Sequence, residues 1–229
     1  MEKEQVSMNI IARIRTDFPT KFGIPRQSGL VEGLKSRIVF EPPYRNPDAL
    51  RGMDGFSHLW LIWQFSEAIR NKWSPTVRPP ILGGNTRVGV FATRSPFRPN
   101  AIGLSSVKIE GIDLHTPEGP VIIVSGADMM DKTPILDIKP YLAYVDSHPE
   151  ALGGFTTQGW NRELNVNFPP HLLETVPEKL QAGLIKVLAT DPRPTYQDDP
   201  ERIYGMPFGD MEIKFKVADK TLTIVAVEI

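Results

Sequence analysis

The chain has 229 residues, 41% of them hydrophobic and 23% charged, with a formal net charge of −1, 22 prolines, 18 glycines, four histidines and no cysteine. That balance fits one large or two small globular domains with a substantial apolar core. It excludes disulfides, thiolate nucleophiles and cysteine-ligated metals, and it suits a reducing cytoplasm.

No apolar run approaches the roughly 20 residues of a bilayer span. The start, with Glu2, Lys3 and Glu4 and no apolar region behind them, does not read as a secretory signal. His58, His115, His148 and His171 lack metal-ligand spacing. The expectation is therefore a cytoplasmic protein with no membrane segment and no metal. Charge is unevenly spread: Ala68 to Ile109 contains no Asp or Glu but carries Arg70, Lys72, Arg78, Arg87, Arg94, Arg98 and Lys108. A segregated field of this kind attracts phosphates even on a nearly neutral molecule, provided folding gathers the cations on one face.

In chain order, apolar runs rich in β-branched and aromatic residues predict strands over Met8–Ile14, Arg37–Phe40, His58–Phe65, Arg87–Ala92, Leu104–Ile109 and Val121–Ser125. His58–Phe65 is apolar at nearly every position, which predicts a strand buried on both faces, with Trp60, Trp63 and Phe65 as core. The texture changes near residue 150, where His148–Asn161 reads as a linker. Beyond it, Leu180, Leu184, Val187 and Leu188 recur at helical spacing over Pro177–Ala189. Met211–Val217 alternates cleanly and turns at Ala218–Lys220 into Thr221–Glu228, a closing hairpin. The fold expected is mainly β: an N-terminal β domain over 1–150 and a small C-terminal α+β domain over 160–229.

Four segments can carry chemistry. In Gly89–Ser105, Arg94 and Arg98 bracket Pro96 and precede Pro99, so two guanidiniums sit on a stiff loop suited to carboxylate or phosphate. Asn100 adds a donor and an acceptor, and Gly103 permits close backbone approach. The same arginines can equally pair with acidic neighbours. In Asp128–Leu142, Asp128, Asp131 and Asp137 cluster with Lys132, Lys139 and Tyr141. Such carboxylates can bind ribose, offset a sulfonium or take a proton, and can equally cap turns before Pro134 and Pro140. Phe22–Leu30 is a proline turn presenting Arg26 and Gln27. Asp191–Tyr196 is a rigid turn offering Arg193 as a cation and Tyr196 as a stacking surface. No G-x-G-x-x-G turn follows a strand, so a Rossmann unit lacks support. Glu41-Pro42-Pro43-Tyr44 imitates the prolyl-prolyl-aromatic motif of Rossmann-type amino-methyltransferases without its leading Asp, Asn or Ser.

In order, the strings IPRQSGLV, RGMDGFSHLW, WSPTVRPPILGGNTRVGVFATRSPFRPNAIGLS, TPILDIKPYL and DPRPTY are similar to those of the TsaA-like family, called TrmO, over almost the whole chain. The resemblance implies methyl transfer from S-adenosylmethionine to N6 of threonylcarbamoyladenosine at position 37 of tRNA. It also implies a β-barrel-like cofactor domain and a homodimer with cofactor sites near the subunit interface. Carried over by motif, the cofactor contacts would be Pro25, Arg26, Gln27, Arg94, Leu104 and the loop Asp128, Met129, Met130, Asp131. Ser66 and Glu67 stand where the family places a His followed by Gln or Glu, Ala101 where it has a proline, and Lys132 where it has a glycine.

On that footing Arg26 and Arg94 would hold the cofactor's carboxylate, and Arg98 the threonylcarbamoyl carboxylate. Asp128, Asp131 and Tyr141 are the candidate proton acceptors. Arg98, Asn100, Lys139, Arg193 and Tyr196 would contact RNA. Two rivals remain at this level: a non-catalytic RNA-binding β-module, and an S-adenosylmethionine-dependent enzyme acting on a small molecule.

Overall fold

The structure, a computed structural model, describes residues 4–157, 163–193 and 199–229. The strands in chain order are β1 Ala12–Arg15, β2 Lys35–Phe40, β3 His58–Gln64, β4 Thr76–Val77, β5 Val88–Gly89, β6 Ile102–Thr116, β7 Gly119–Ser125, β8 Pro134–Pro140, β9 Asn165–Asn167, β10 Tyr204–Phe208, β11 Met211–Ala218 and β12 Thr221–Glu228. Six of them close into an antiparallel barrel in the order β1-β2-β7-β6-β3-β8, with β8 returning to pair with β1. A second sheet, β10-β11-β12-β9, is antiparallel except for the β12–β9 pair. This is mainly β architecture without a doubly wound parallel sheet. Among the described residues no helix is long and apolar enough to cross a membrane.

Side-chain alternation explains the barrel. On β3, Leu59, Leu61 and Trp63 point inward and are buried, while His58, Trp60, Ile62 and Gln64 on the other face are half-buried. The strand is thus buried fully on one face rather than on both, because its outer face is only partly covered by neighbours such as Tyr141, whose ring lies 5.4 Å from that of Trp60. The inner layer also takes in Ile14, Ile38, Val107, Ile122, Val124, Met129 and Ile135.

Several boundaries differ from the sequence pattern. β1 begins at Ala12, not Met8. Over Arg87–Ala92 only two residues are strand, and Val90–Ala92 form a 3-10 turn. The partner β4 is itself only two residues long, between Pro75 and Pro79, and proline supplies no ladder donor. β8 and β10 were masked by their prolines. Pro134 and Pro140 sit at the ends of β8, and Pro207 lies on β10 at a sheet edge, positions that tolerate a missing N–H.

The helix Glu178–Ala189 buries Leu184, Val187 and Leu188 in a second core with Tyr204, Met206, Phe208, Ile213 and Phe215. Phe18, Val31 and Leu34, from the segment joining β1 to β2, also belong to that core. Gly23 in the same segment has φ +90°, and a Cβ there would lie 2.4 Å from the Met206 sulfur. Gly23→Ala is therefore expected to lose roughly 1–2 kcal/mol from the backbone and roughly 1–3 kcal/mol more from overpacking. Gly84→Ala (φ +75°, open space) should show the backbone cost alone. Urea unfolding checks this, and equal losses in the two variants would refute the Met206 contact.

Candidate functional site

A cavity of about 730 Å³ opens where three connections meet the start of β6. The β1–β2 segment contributes Arg26 and Gln27; the 90–100 loop contributes Phe91, Thr93, Arg94, Arg98 and Asn100; β6 begins there with Ile102, Gly103 and Leu104; and Asp128 follows β7. Trp60, Trp63 and Phe65 supply aromatic walls. The Trp63 and Phe65 rings lie 4.2 Å apart.

The polar groups are connected. Arg94 Nη1 donates to Gln27 Oε1, and Gln27 Nε2 donates to the Arg26 carbonyl, each at 2.5 Å. Arg26 Nη2 donates to the carbonyls of Asp191 and Arg193, at 3.2 and 3.4 Å, tying the cavity to the turn after the C-terminal helix. Arg98 Nη1 donates to the Thr93 carbonyl at 3.1 Å. Asp128 accepts from Ser105 Oγ at 2.5 Å, and Ser105 accepts from Trp63 Nε1 at 2.9 Å. Burial pushes the Asp128 carboxyl above the ordinary carboxylate value. The Ser105 bond, backbone donors at Asp128 and Ser28, and the Arg94 charge oppose that rise without cancelling it.

The other residues singled out by sequence fall elsewhere. Asp131 accepts from the Thr16 amide at 3.2 Å and lies 3.8 Å from Arg15, outside the cavity lining. Met129 packs its side chain into the barrel core, and Met130 is half-buried. Tyr141 leans on Trp60 and His58 rather than lining the cavity. Of the three candidate proton acceptors, only Asp128 lines it. Pro25 is buried in the first loop beside Arg26. Ser66 and Glu67 form an exposed 3-10 turn in which Glu67 pairs with Lys21 at 3.0 Å. Lys139 pairs with Asp137 at 2.8 Å on the barrel exterior.

Arg193 is 7% exposed and forms a two-pronged pair with Asp191, at 2.9 and 3.0 Å. Leaving that pair for RNA would strand a buried carboxylate. Tyr196 lies outside the described residues. The Glu41–Tyr44 imitation motif is a 3-10 turn after β2 whose glutamate pairs with Arg13 at 2.9 Å. Lys132 has φ +65°, a left-handed conformation that glycine adopts without strain.

Sequence reasoning missed the aromatic walls and Ser105. Trp63 is core and cavity wall at once, 5% exposed, and hydropathy registers only the first role. The available signal was Gly103, which marks a close approach.

The tRNA-methyltransferase O N-terminal domain model matches residues 13–147, and the TrmO C-terminal domain model matches 161–229. The chain belongs to the TrmO family. It is 38% identical over 226 residues to the tRNA (adenine(37)-N6)-methyltransferase of Escherichia coli strain K12, covering 95% of this chain and 96% of that one. A TrmO-family crystal structure from Pseudomonas aeruginosa superposes with a TM-score of 0.80 at 30% identity, covering 99% of this chain and 98% of the other. A Methanothermobacter thermautotrophicus protein described as a probable S-adenosyl-L-methionine-binding protein is 32% identical over 147 residues, 64% of this chain and 98% of its own.

Because folding raises the Asp128 pKa, the folded chain binds more protons than the unfolded one between the two values, and stability falls as pH rises through that window. Asp128→Asn is thus expected to raise Tm at neutral pH, with the gain fading as pH drops through that window and gone below the ordinary carboxylate value of 3.8. A lower Tm at neutral pH would contradict this account of the carboxylate.

Proposed function

We propose that the protein transfers a methyl group from S-adenosylmethionine to N6 of threonylcarbamoyladenosine at position 37 of tRNA, in the cytoplasm. The observation that carries the reading is a part-buried carboxylate, Asp128, without an ion pair among the described residues, sharing one cavity with Arg26, Arg94 and Arg98.

The residues present fit the cofactor. A cavity of about 730 Å³ is of ordinary size for a ligand of this mass. Guanidiniums on one side suit an amino-acid carboxylate, while aromatic faces and Asp128 suit a purine and a positive sulfur. Arg94, braced by Gln27, and Arg26, braced by the Asp191 and Arg193 carbonyls, would hold the carboxylate. When bound, S-adenosylmethionine supplies an electrophilic methyl group. Arg98 would pair with the threonylcarbamoyl carboxylate and so orient the base. A carbamoyl-substituted nitrogen is a weak nucleophile while it keeps its proton, and Asp128 would accept that proton as N6 attacks. Its raised pKa brings it nearer to working pH and makes it a better acceptor.

The surroundings favour RNA as the carrier of the base. Among the described residues Arg70, Lys72, Arg78, Arg87, Arg94 and Arg98 make no ion pair, whereas Lys21, Arg37, Lys108 and Lys139 each do. Phe97 lies under the Arg70 guanidinium at 3.8 Å, and exposed Trp73 and Phe91 lie 6.1 Å apart, surfaces on which bases stack. We take 1–150 as the cofactor unit and 160–229 as the smaller C-terminal unit. Exposed Ile102 and Leu104 on the cavity rim support a homodimer in which a second copy covers that part of the rim.

The deciding experiment is labelled methyl transfer to two tRNA pools, with and without threonylcarbamoyladenosine. Label confined to the modified pool and mapped to N6 is expected. Equal labelling would remove the carboxylate role from Arg98. No labelling, with no cofactor binding by calorimetry, would leave an RNA-binding module, and labelling of a small molecule alone would leave the other rival. Arg94→Ala should weaken cofactor affinity about tenfold or more, the loss of one charge-assisted contact. Leu104→Glu is expected to shift the molar mass measured by light scattering from dimer to monomer, and a wild-type monomer would end the dimer reading.

A further inference from the structure

The inner face of β6 places Gly103, Ser105 and Val107 toward the barrel interior. Trp63 on β3 stands directly opposite Gly103, and Ser105 lies two residues further along β6. A Cβ on Gly103 would fall 2.2 Å from Trp63 Cε2, so the indole lies flat across the glycine, and that lets Nε1 reach Ser105 at 2.9 Å. Trp63 and Ser105 are both buried, at 5% and 1% exposure, so water does not compete for the bond.

The polarity of the chain is forced. An indole N–H only donates, so Ser105 Oγ must accept from it; a hydroxyl has one proton, so that proton goes to Asp128 Oδ1. We propose that Gly103, Trp63 and Ser105 form a one-way hydrogen-bond relay that occupies one oxygen of Asp128, confines proton uptake to the other, and makes Trp63 and Ser105 positioning residues for the methyl-transfer step. This rests on Asp128 as the proton acceptor proposed above.

The proton bookkeeping follows from the direction. When the N6–H bond breaks, the proton forms a new O–H bond on the second Asp128 oxygen. Ser105 already donates toward Asp128, and Trp63 has no lone pair with which to take a proton onward. The proton therefore leaves by the cavity to solvent and never through the barrel core. The groups acting on the carboxylate are Ser105 from β6, the backbone at Ser28 and at Asp128 itself, and Arg94 from the 90–100 loop; all favour the ionised form. Losing the Ser105 hydroxyl removes the largest of these.

The test uses the full chain labelled with ¹⁵N, the Trp63 indole signal being assigned by its loss in Trp63→Phe. In the wild type that signal is expected to move with pH as Asp128 titrates, to stay flat in Asp128→Asn, and to lose its titration in Ser105→Ala while Ser105→Thr keeps it. The acid limb of kcat/KM should shift to higher pH in Ser105→Ala and return in Ser105→Thr. A wild-type indole signal that ignores pH, or one that still titrates in Asp128→Asn, overturns the relay. A relay seen by the indole signal together with an unmoved kcat/KM profile overturns instead Asp128 as the acceptor.

Discussion

Closure of the barrel is the constraint on which the site depends. A six-stranded antiparallel sheet has two edges, and pairing β8 with β1 removes both. Closure brings the connections that follow β1, β5 and β7 to one end of the barrel, together with the start of β6. Residues more than a hundred positions apart, Arg26 and Asp128 among them, thereby share one cavity. No local element holds them. They are held by the register of a closed ladder, and a one-residue slip in β6 would turn Gly103 and Ser105 outward.

The second core is built partly from the chain that leaves the barrel. Phe18, Val31 and Leu34 are shared with it, Gly23 lies against Met206, and a Cβ on Gly183 in the C-terminal helix would fall 2.3 Å from Leu34. The first cavity loop is thus clamped between the two cores. The buried Asp191–Arg193 pair stiffens the turn whose carbonyls receive Arg26. The Asp191 and Arg193 carbonyls thereby support a guanidinium in the cavity.

Much of this was legible in the sequence, for identifiable reasons. The alternation of Met211–Val217 and the helical spacing of Leu180, Leu184 and Val187 depend on one buried face, which a linear pattern records. Arg94 and Arg98 on a proline-stiffened loop were legible because rigidity and charge are both local. The family strings supplied the reaction class, which no periodicity contains. What failed was long-range or two-faced. β8 was hidden by prolines whose tolerance depends on their place in the ladder. Asp128 and Asp131 look alike three positions apart, and only the fold turns one to the cavity and the other to Thr16 and Arg15. Arg193 and Asp191 stand two positions apart in the sequence, and only the fold buries them as a pair. Trp63 was assigned a single role, and Ser105 none.

Electrostatics divides labour along the same lines. A net charge of −1 would disfavour RNA if it were spread evenly, but among the described residues most cations of the acid-free stretch 68–109 remain without carboxylate partners after folding. Their field acts over roughly 8–10 Å at physiological salt, enough to attract a phosphate backbone to the rim and too diffuse to select one base. Selection requires contacts inside the cavity, where guanidiniums fit carboxylates and one carboxylate, kept from solvent on its inner side, can take one proton. Attraction and chemistry are thus assigned to different atoms of one loop system. Among the described residues that line the cavity, Asp128 is the one carboxylate set against three guanidiniums.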